Sequence, residues 1–259
     1  MKSMNVMKLA GTAIIGLAVT QSASAATSLK INERVFNDFP GSTLVTTTDN
    51  VSSVQFDEGP FGTGGWANRH DAVASIDGGA TDQAVGLFDD FSIEANVTLS
   101  PTDAAAEAGL RLNAPVTGDV IFLIKDNGEI AAFGGGAPFF SFTAPAVAGD
   151  PLVNPYVPGQ TVFMKMVYHS SGILNVAGTV EYLLDRGAGL ESSGVLNWDN
   201  LEGGPINHSL GVYTQNIPSA PETTSHVTTT FNNVSLVPEP ASLGLMGLGG
   251  LAMLRRRNG

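Results

Sequence analysis

The chain has 259 residues, no cysteine, and 24 acidic against 12 basic side chains, for a net charge of −12. Without cysteine there is no disulfide, no thiolate metal site and no cysteine nucleophile, and the acidic balance disfavours nucleic acid as a partner. All the acidic residues lie between positions 26 and 240, whereas five of the basic ones lie in the two ends. The central segment therefore holds 7 basic and 24 acidic residues, a net charge of −17.

The N-terminus carries Lys2 and Lys8, an uncharged apolar run from Leu9 to Val19, and then Ala23-Ser24-Ala25. Basic flank, apolar core and a small-x-small site in that order predict a signal peptide over residues 1–25, cut by signal peptidase before Ala26. Residues 26–236 then form one exported domain of about 210 residues, enough for a sizeable core.

Period-two alternation dominates that domain. From Phe91 to Ser100, Phe91, Ile93, Ala95, Val97 and Leu99 share one face and polar residues the other, the pattern of a half-buried strand. Ser100-Pro101-Thr102-Asp103 before Ala104 to Ala108 predicts one or two helical turns. Ala108 to Leu112 reads as a strand. Val120 to Ile124, the turn Asp126-Asn127-Gly128 and Glu129 to Phe133 read as a hairpin. Further strands are expected at Thr161 to Tyr168, Gly178 to Leu184, Leu210 to Thr214 and Val227 to Leu236, the last with a bulge at Asn232-Asn233 where its apolar parity shifts. Many short strands, Gly-rich connections and scarce helix predict an all-β antiparallel sandwich or jelly roll.

At the C-terminus, Pro238-Glu239-Pro240 precedes an uncharged stretch from Ala241 to Leu254 and then Arg255-Arg256-Arg257. The stretch falls short of the roughly 20 apolar residues of a relaxed spanning helix, so it crosses by snorkelling its arginines or thinning the bilayer. Arginines stay cytoplasmic, which puts the central domain across the inner membrane, as a signal peptide also requires. Residues 237–259 resemble the PEP-CTERM sorting tail of Gram-negative bacteria in all three parts and their order. That resemblance implies recognition by a membrane exosortase, a membrane-anchored intermediate, and delivery to the cell surface or extracellular matrix. The order of strands from about residue 70 to 236 also resembles concanavalin A-like, lectin-like sandwiches.

Glycoside hydrolysis requires two carboxyl groups roughly 5–9.5 Å apart, and hydrolases of this fold set them at i and i+2. No such pair occurs in the chain, and Glu181 and Asp185 are about 13 Å apart along one strand. Hydrolase elbows, phosphate loops and His-Glu-x-x-His are absent too, and His70, His169, His208 and His226 are scattered. The expectation is therefore no enzyme and no cofactor beyond a structural calcium. Candidate calcium ligands are Asp77 and Asp82 in one acidic turn and Asp199 and Glu202 in another. For sugar stacking the candidates are Trp66, Tyr156 and Trp198, each in a loop-like context. The function expected is a structural or adhesive surface protein that contacts exopolysaccharide; the alternative is a glycoside hydrolase or lyase of concanavalin A-like fold.

Overall fold

The computed structural model describes residues 26, 28–85, 89–114, 118–173, 176, 178–198, 208–218 and 224–238. The signal segment with Ala23 and Ala25, the second acidic turn with Asp199 and Glu202, and the tail from Glu239 onward lie outside the described residues.

The described chain is all strand and turn. Its strands are β1 (Ser28–Asn37), β2 (Thr43–Thr48), β3 (Val54–Gly59), β4 (Asn68–Ser75), β5 (Ala84–Val85), β6 (Phe91–Thr102), β7 (Ala106–Ala114) and β8 (Gly118–Lys125). They continue with β9 (Ile130–Phe133), β10 (Phe140–Ser141), β11 (Thr161–His169), β12 (Gly178–Asp185), β13 (Leu190–Ser192), β14 (Leu196–Trp198), β15 (His208–Asn216) and β16 (His226–Pro238). The first sheet runs β1-β4-β15-β7-β8-β9-β10 with β5 on β15, and the second runs β13-β12-β11-β6-β16-β3-β2 with β14 on β12. Every pair of neighbouring strands is antiparallel, and the two sheets close as a jelly-roll sandwich.

The alternation read along Phe91 to Leu99 is real burial: all five apolar residues are at most 3% exposed. Facing them across the sandwich are Leu110, Phe122 and Ile124 of the first sheet, and Phe122 meets Tyr182 of the second with ring centroids 5.3 Å apart. Each such side chain contributes roughly 1.5–3 kcal/mol by leaving water. The hairpin at Asp126-Asn127-Gly128 forms as its turn chemistry dictates, with Gly128 at φ +93° and its N–H donating to Lys125 O. The bulge in β16 falls where the parity shifts, with Asn233 at φ +55°.

One expected element is corrected. Ser100 to Ala108 forms no helix; β6 continues through Thr102, Asp103 turns at φ +51°, and β7 begins at Ala106. Pro101 fits there because it sits near a strand end, and the alanines that favour helix are drawn into the first sheet by packing. The first four strands were not anticipated, and they supply much of both sheets.

Those strands also bring a carboxylate into the sandwich. Glu58 of β3 is fully buried; its Oε1 accepts from Arg34 Nη1 (2.8 Å), Ser42 Oγ (2.7 Å) and Asn68 Nδ2 (2.7 Å), and its Oε2 meets His70 Nε2 (2.8 Å) and Asn216 Nδ2 (2.6 Å). Arg34 N–H donates to His70 Nδ1, which leaves Nε2 as the nitrogen that donates to Glu58. Burial alone would push this carboxyl up. Hydrogen bonds from His70, Ser42 and Asn216 outweigh it and hold the pKa at about 2. The cluster ties β1, β4 and β15 of one sheet to β3 of the other.

Candidate functional site

The outer face of the first sheet carries a second polar network. Strand pairing aligns Asn32, Asp71, Tyr213 and Gly109 in one row across β1, β4, β15 and β7. The adjacent row runs Lys30, Val73, Gly211, Arg111 and Ile121. Period-two geometry turns the side chains in these rows away from the core. Gly109 and Gly211 stand where a Cβ would meet the backbone of the neighbouring strand, at 2.0 Å from Phe122 O and 2.3 Å from Ala72 O, so these positions admit no side chain beside Tyr213 and Arg111.

Arg69, Asp71, Arg111 and Asp119 form a closed ring. Asp71 accepts from Arg69 Nε (2.9 Å) and Arg111 Nη1 (2.5 Å), and Asp119 pairs with Arg69 Nη1 (2.9 Å) and Arg111 Nη2 (3.1 Å). Each carboxylate bridges both guanidinium groups, a charge-assisted arrangement that fixes the forks in place. Arg69 lies 4.7 Å from the ring centroid of Tyr213 and 5.8 Å from that of Phe36, and Phe36 stands 6.3 Å from Trp66. Trp66, Phe36, Arg69 and Tyr213 thus make a continuous ladder from the edge of the sheet to its middle. The upper rungs are open, Trp66 at 59% and Phe36 at 41%, whereas Tyr213 is buried. Tyr213 Oη donates to Glu107 Oε1 (3.3 Å). Burial pushes the Glu107 carboxyl up; burial and the Glu107 charge push the Tyr213 phenol well up, so Tyr213 keeps its proton.

Beside the ring a cleft of about 380 Å³ is floored by Asp71, Val73, Arg111 and Ser209 and walled by Asn32 to Val35. A larger cleft of about 580 Å³ opens at the far side of the sandwich, between Asn154-Pro155 and the β12–β13 turn. Neither cleft is lined by an aromatic side chain, and Arg186 of the second is spent on both oxygens of Glu191 and on Asn154 O.

Of the three aromatics singled out in the sequence, the structure leaves one open. Trp66 is on the ladder. Tyr156 is 2% exposed; its Oη accepts from Leu99 N and lies 2.9 Å from Leu99 O and Gln160 O, so it pins the approach to β11. Trp198 is buried edge-to-face against Tyr168. Both are corrected to core residues, because a ring packed on its faces has none left for a sugar. Asp77 is an exposed turn cap: Oδ1 accepts from Ser75 Oγ, Ala80 N and Thr81 N, and Oδ2 from Thr81 Oγ1, bonds that hold its carboxyl below the usual range. Asp82 pairs with Lys30 at 2.9 Å. No group of three or more metal-ligating side chains occurs among the described residues, and no helix there is long and apolar enough to cross a membrane.

The fold is similar to that of solved alginate lyases. The alginate lyase of Klebsiella pneumoniae is similar at a TM-score of 0.54 and 10% identity, over 75% of this chain and 84% of that one. A family 14 alginate lyase from Aplysia kurodai gives 0.45 at 10% identity over 84% and 99%, and winged bean acidic lectin gives 0.40 at 10% over 83% and 94%. Residues 236–258 match the PEP-CTERM protein-sorting motif, and no curated protein matches the chain. The motif marks an exported, exosortase-sorted surface protein.

The expectation of a non-enzyme is overturned by the lyase likeness. That expectation rested on the missing carboxylate pair, which is the requirement of hydrolysis. Elimination needs a proton acceptor and a proton donor rather than a carboxylate pair, so the missing pair does not bear on a lyase. Phe36, Arg69, Arg111 and Tyr213 were missed. Outward parity along His208–Asn216 was the available signal for Tyr213, and β4 had none, because its core-facing Asn68 and His70 are themselves polar.

Proposed function

We propose that the exported domain engages polysaccharide at the cell surface or in the extracellular matrix of a Gram-negative bacterium, along the Trp66–Phe36–Arg69 ladder and the adjoining cleft. The carrying observation is the ladder itself: two open aromatic faces lead onto fixed guanidinium forks beside a groove. Sugar rings stack on such faces while their hydroxyls take hydrogen bonds from the forks. The sorting motif supports the location, since an exosortase substrate is delivered to where exopolysaccharide lies. Adhesion to that matrix is the role this supports.

The lyase fold favours a second reading, catalysis on the same polymer at the same face. One experiment addresses both. The processed protein recovered from producing cells is titrated by calorimetry with that organism's exopolysaccharide, and the same samples are assayed for new chain ends. Saturable binding that weakens about tenfold in Trp66→Ala is expected; new chain ends establish the second reading, and neither binding nor product refutes the proposal.

A further inference from the structure

The exported domain, residues 26–236, has seven basic and 23 acidic side chains, a net charge of −16. None of the seven is free. On the outer face, Arg69 and Arg111 are closed into the ring with Asp71 and Asp119, Lys30 holds Asp82, and Lys125 lies 3.6 Å from Glu129 and 3.9 Å from Glu107. The remaining three, Arg34, Lys165 and Arg186, pair with Glu58, Glu94 and Glu191.

An anionic polymer arriving at this face meets no spare cation. To take Arg69 or Arg111 it must displace Asp119 or Asp71, and Asp71, 1% exposed, would be left as a buried charge short of a partner. At longer range the excess of carboxylates repels it, most strongly at low salt.

Hydrogen-bond donors, in contrast, are left over. Arg69 Nη2 and Arg111 Nε are buried N–H groups with no acceptor among the described residues. Their charge is neutralised and their donor capacity is not, a combination that suits an acceptor bringing no charge of its own. A sugar hydroxyl oxygen is such an acceptor.

We infer that the polysaccharide taken by this face is neutral, a polymer of uncharged sugars rather than a polyuronate. The inference rests on the polysaccharide reading above and names its ligand class. It also keeps this chain's ligand apart from that of the alginate lyases whose fold it resembles.

The test is calorimetry on the processed protein with neutral glucan, galactan and mannan, and with sodium alginate as the polyanion, in the presence of a chelator. At least one neutral polymer is expected to bind with an affinity that changes less than about twofold between about 20 and 300 mM salt, and alginate to bind about tenfold more weakly or not at all. Asp119→Asn releases one carboxylate from the ring and is expected to raise alginate binding several-fold. Alginate binding as tight as any neutral polymer and weakened by salt overturns the inference while leaving the polysaccharide reading standing. Absence of binding to every polymer overturns both, and unchanged alginate binding in Asp119→Asn contradicts the charge argument.

Discussion

The Glu58 cluster and the Arg69–Asp71–Arg111–Asp119 ring grow from the same stretch of β4. Asn68 and His70 turn inward to Glu58, and Arg69 and Asp71 turn outward to Arg111 and Asp119. In chemistry the two networks are close relatives, carboxylates held by cationic and amide donors. They differ in completeness and surroundings. Both oxygens of Glu58 are satisfied, and the carboxylate itself is buried between the sheets. The outer ring retains unused N–H groups, borders a cleft, and continues into exposed aromatic rings. A buried carboxylate with both oxygens bonded serves the fold, and a ring that continues into exposed aromatic faces is placed to meet a ligand.

The comparison is broken most forcefully by Glu58→Ala. Removing the carboxylate strands Arg34, His70 and two amides, and the cost expected in urea denaturation is about 3–5 kcal/mol, with polysaccharide binding unchanged in the protein that remains folded. A loss under about 1 kcal/mol would mean that the cluster does not hold the sheets together.

Acid tests the same group without mutation. The Glu58 pKa is lowered from 4.5 to about 2 in the folded state, so its contribution is present above pH 4.5 and is lost as pH falls towards 2. A loss of about 3 kcal/mol across that window is expected in the wild type, and its absence is expected in Glu58→Gln.

Tyr156→Phe is expected to cost about 1–3 kcal/mol, because Leu99 N–H loses its acceptor inside the protein, while affinity for polysaccharide stays unchanged. Weakened binding in that variant would return Tyr156 to the site. Trp66→Ala is the mirror case. With its ring mostly in solvent it is expected to shift stability by less than about 0.5 kcal/mol and to weaken polysaccharide binding about tenfold.

How much of this was legible follows from what pairs with what. From Phe91 to Leu236 the core-facing residues are mostly apolar, so parity exposes β6, β11, β12 and β16, even the bulge at Asn232-Asn233, and β8 shows as an apolar run before its turn. Between residues 28 and 75 the inward positions include Asn68 and His70, made tolerable by Glu58 from another strand. Local patterning cannot see a partner that distant, and the strands went unread. Trp66 stood out by its residue type and context. Phe36, Arg69, Arg111 and Tyr213 become a site only through strand order, because β15 is what brings Tyr213 beside Asp71 on one flank and Gly109 on the other. The tail was legible because a sorting motif is read as linear sequence, without any fold.

The most direct test of the central claim is hydrogen exchange on the processed protein with and without the polysaccharide it binds. Protection is expected in residues 33–38 and 62–67, which carry Phe36 and Trp66 of the ladder, with no change at residues 186–191 beside the second cleft. Protection at 186–191 with none along the ladder would contradict the account and move the site to the other side of the sandwich.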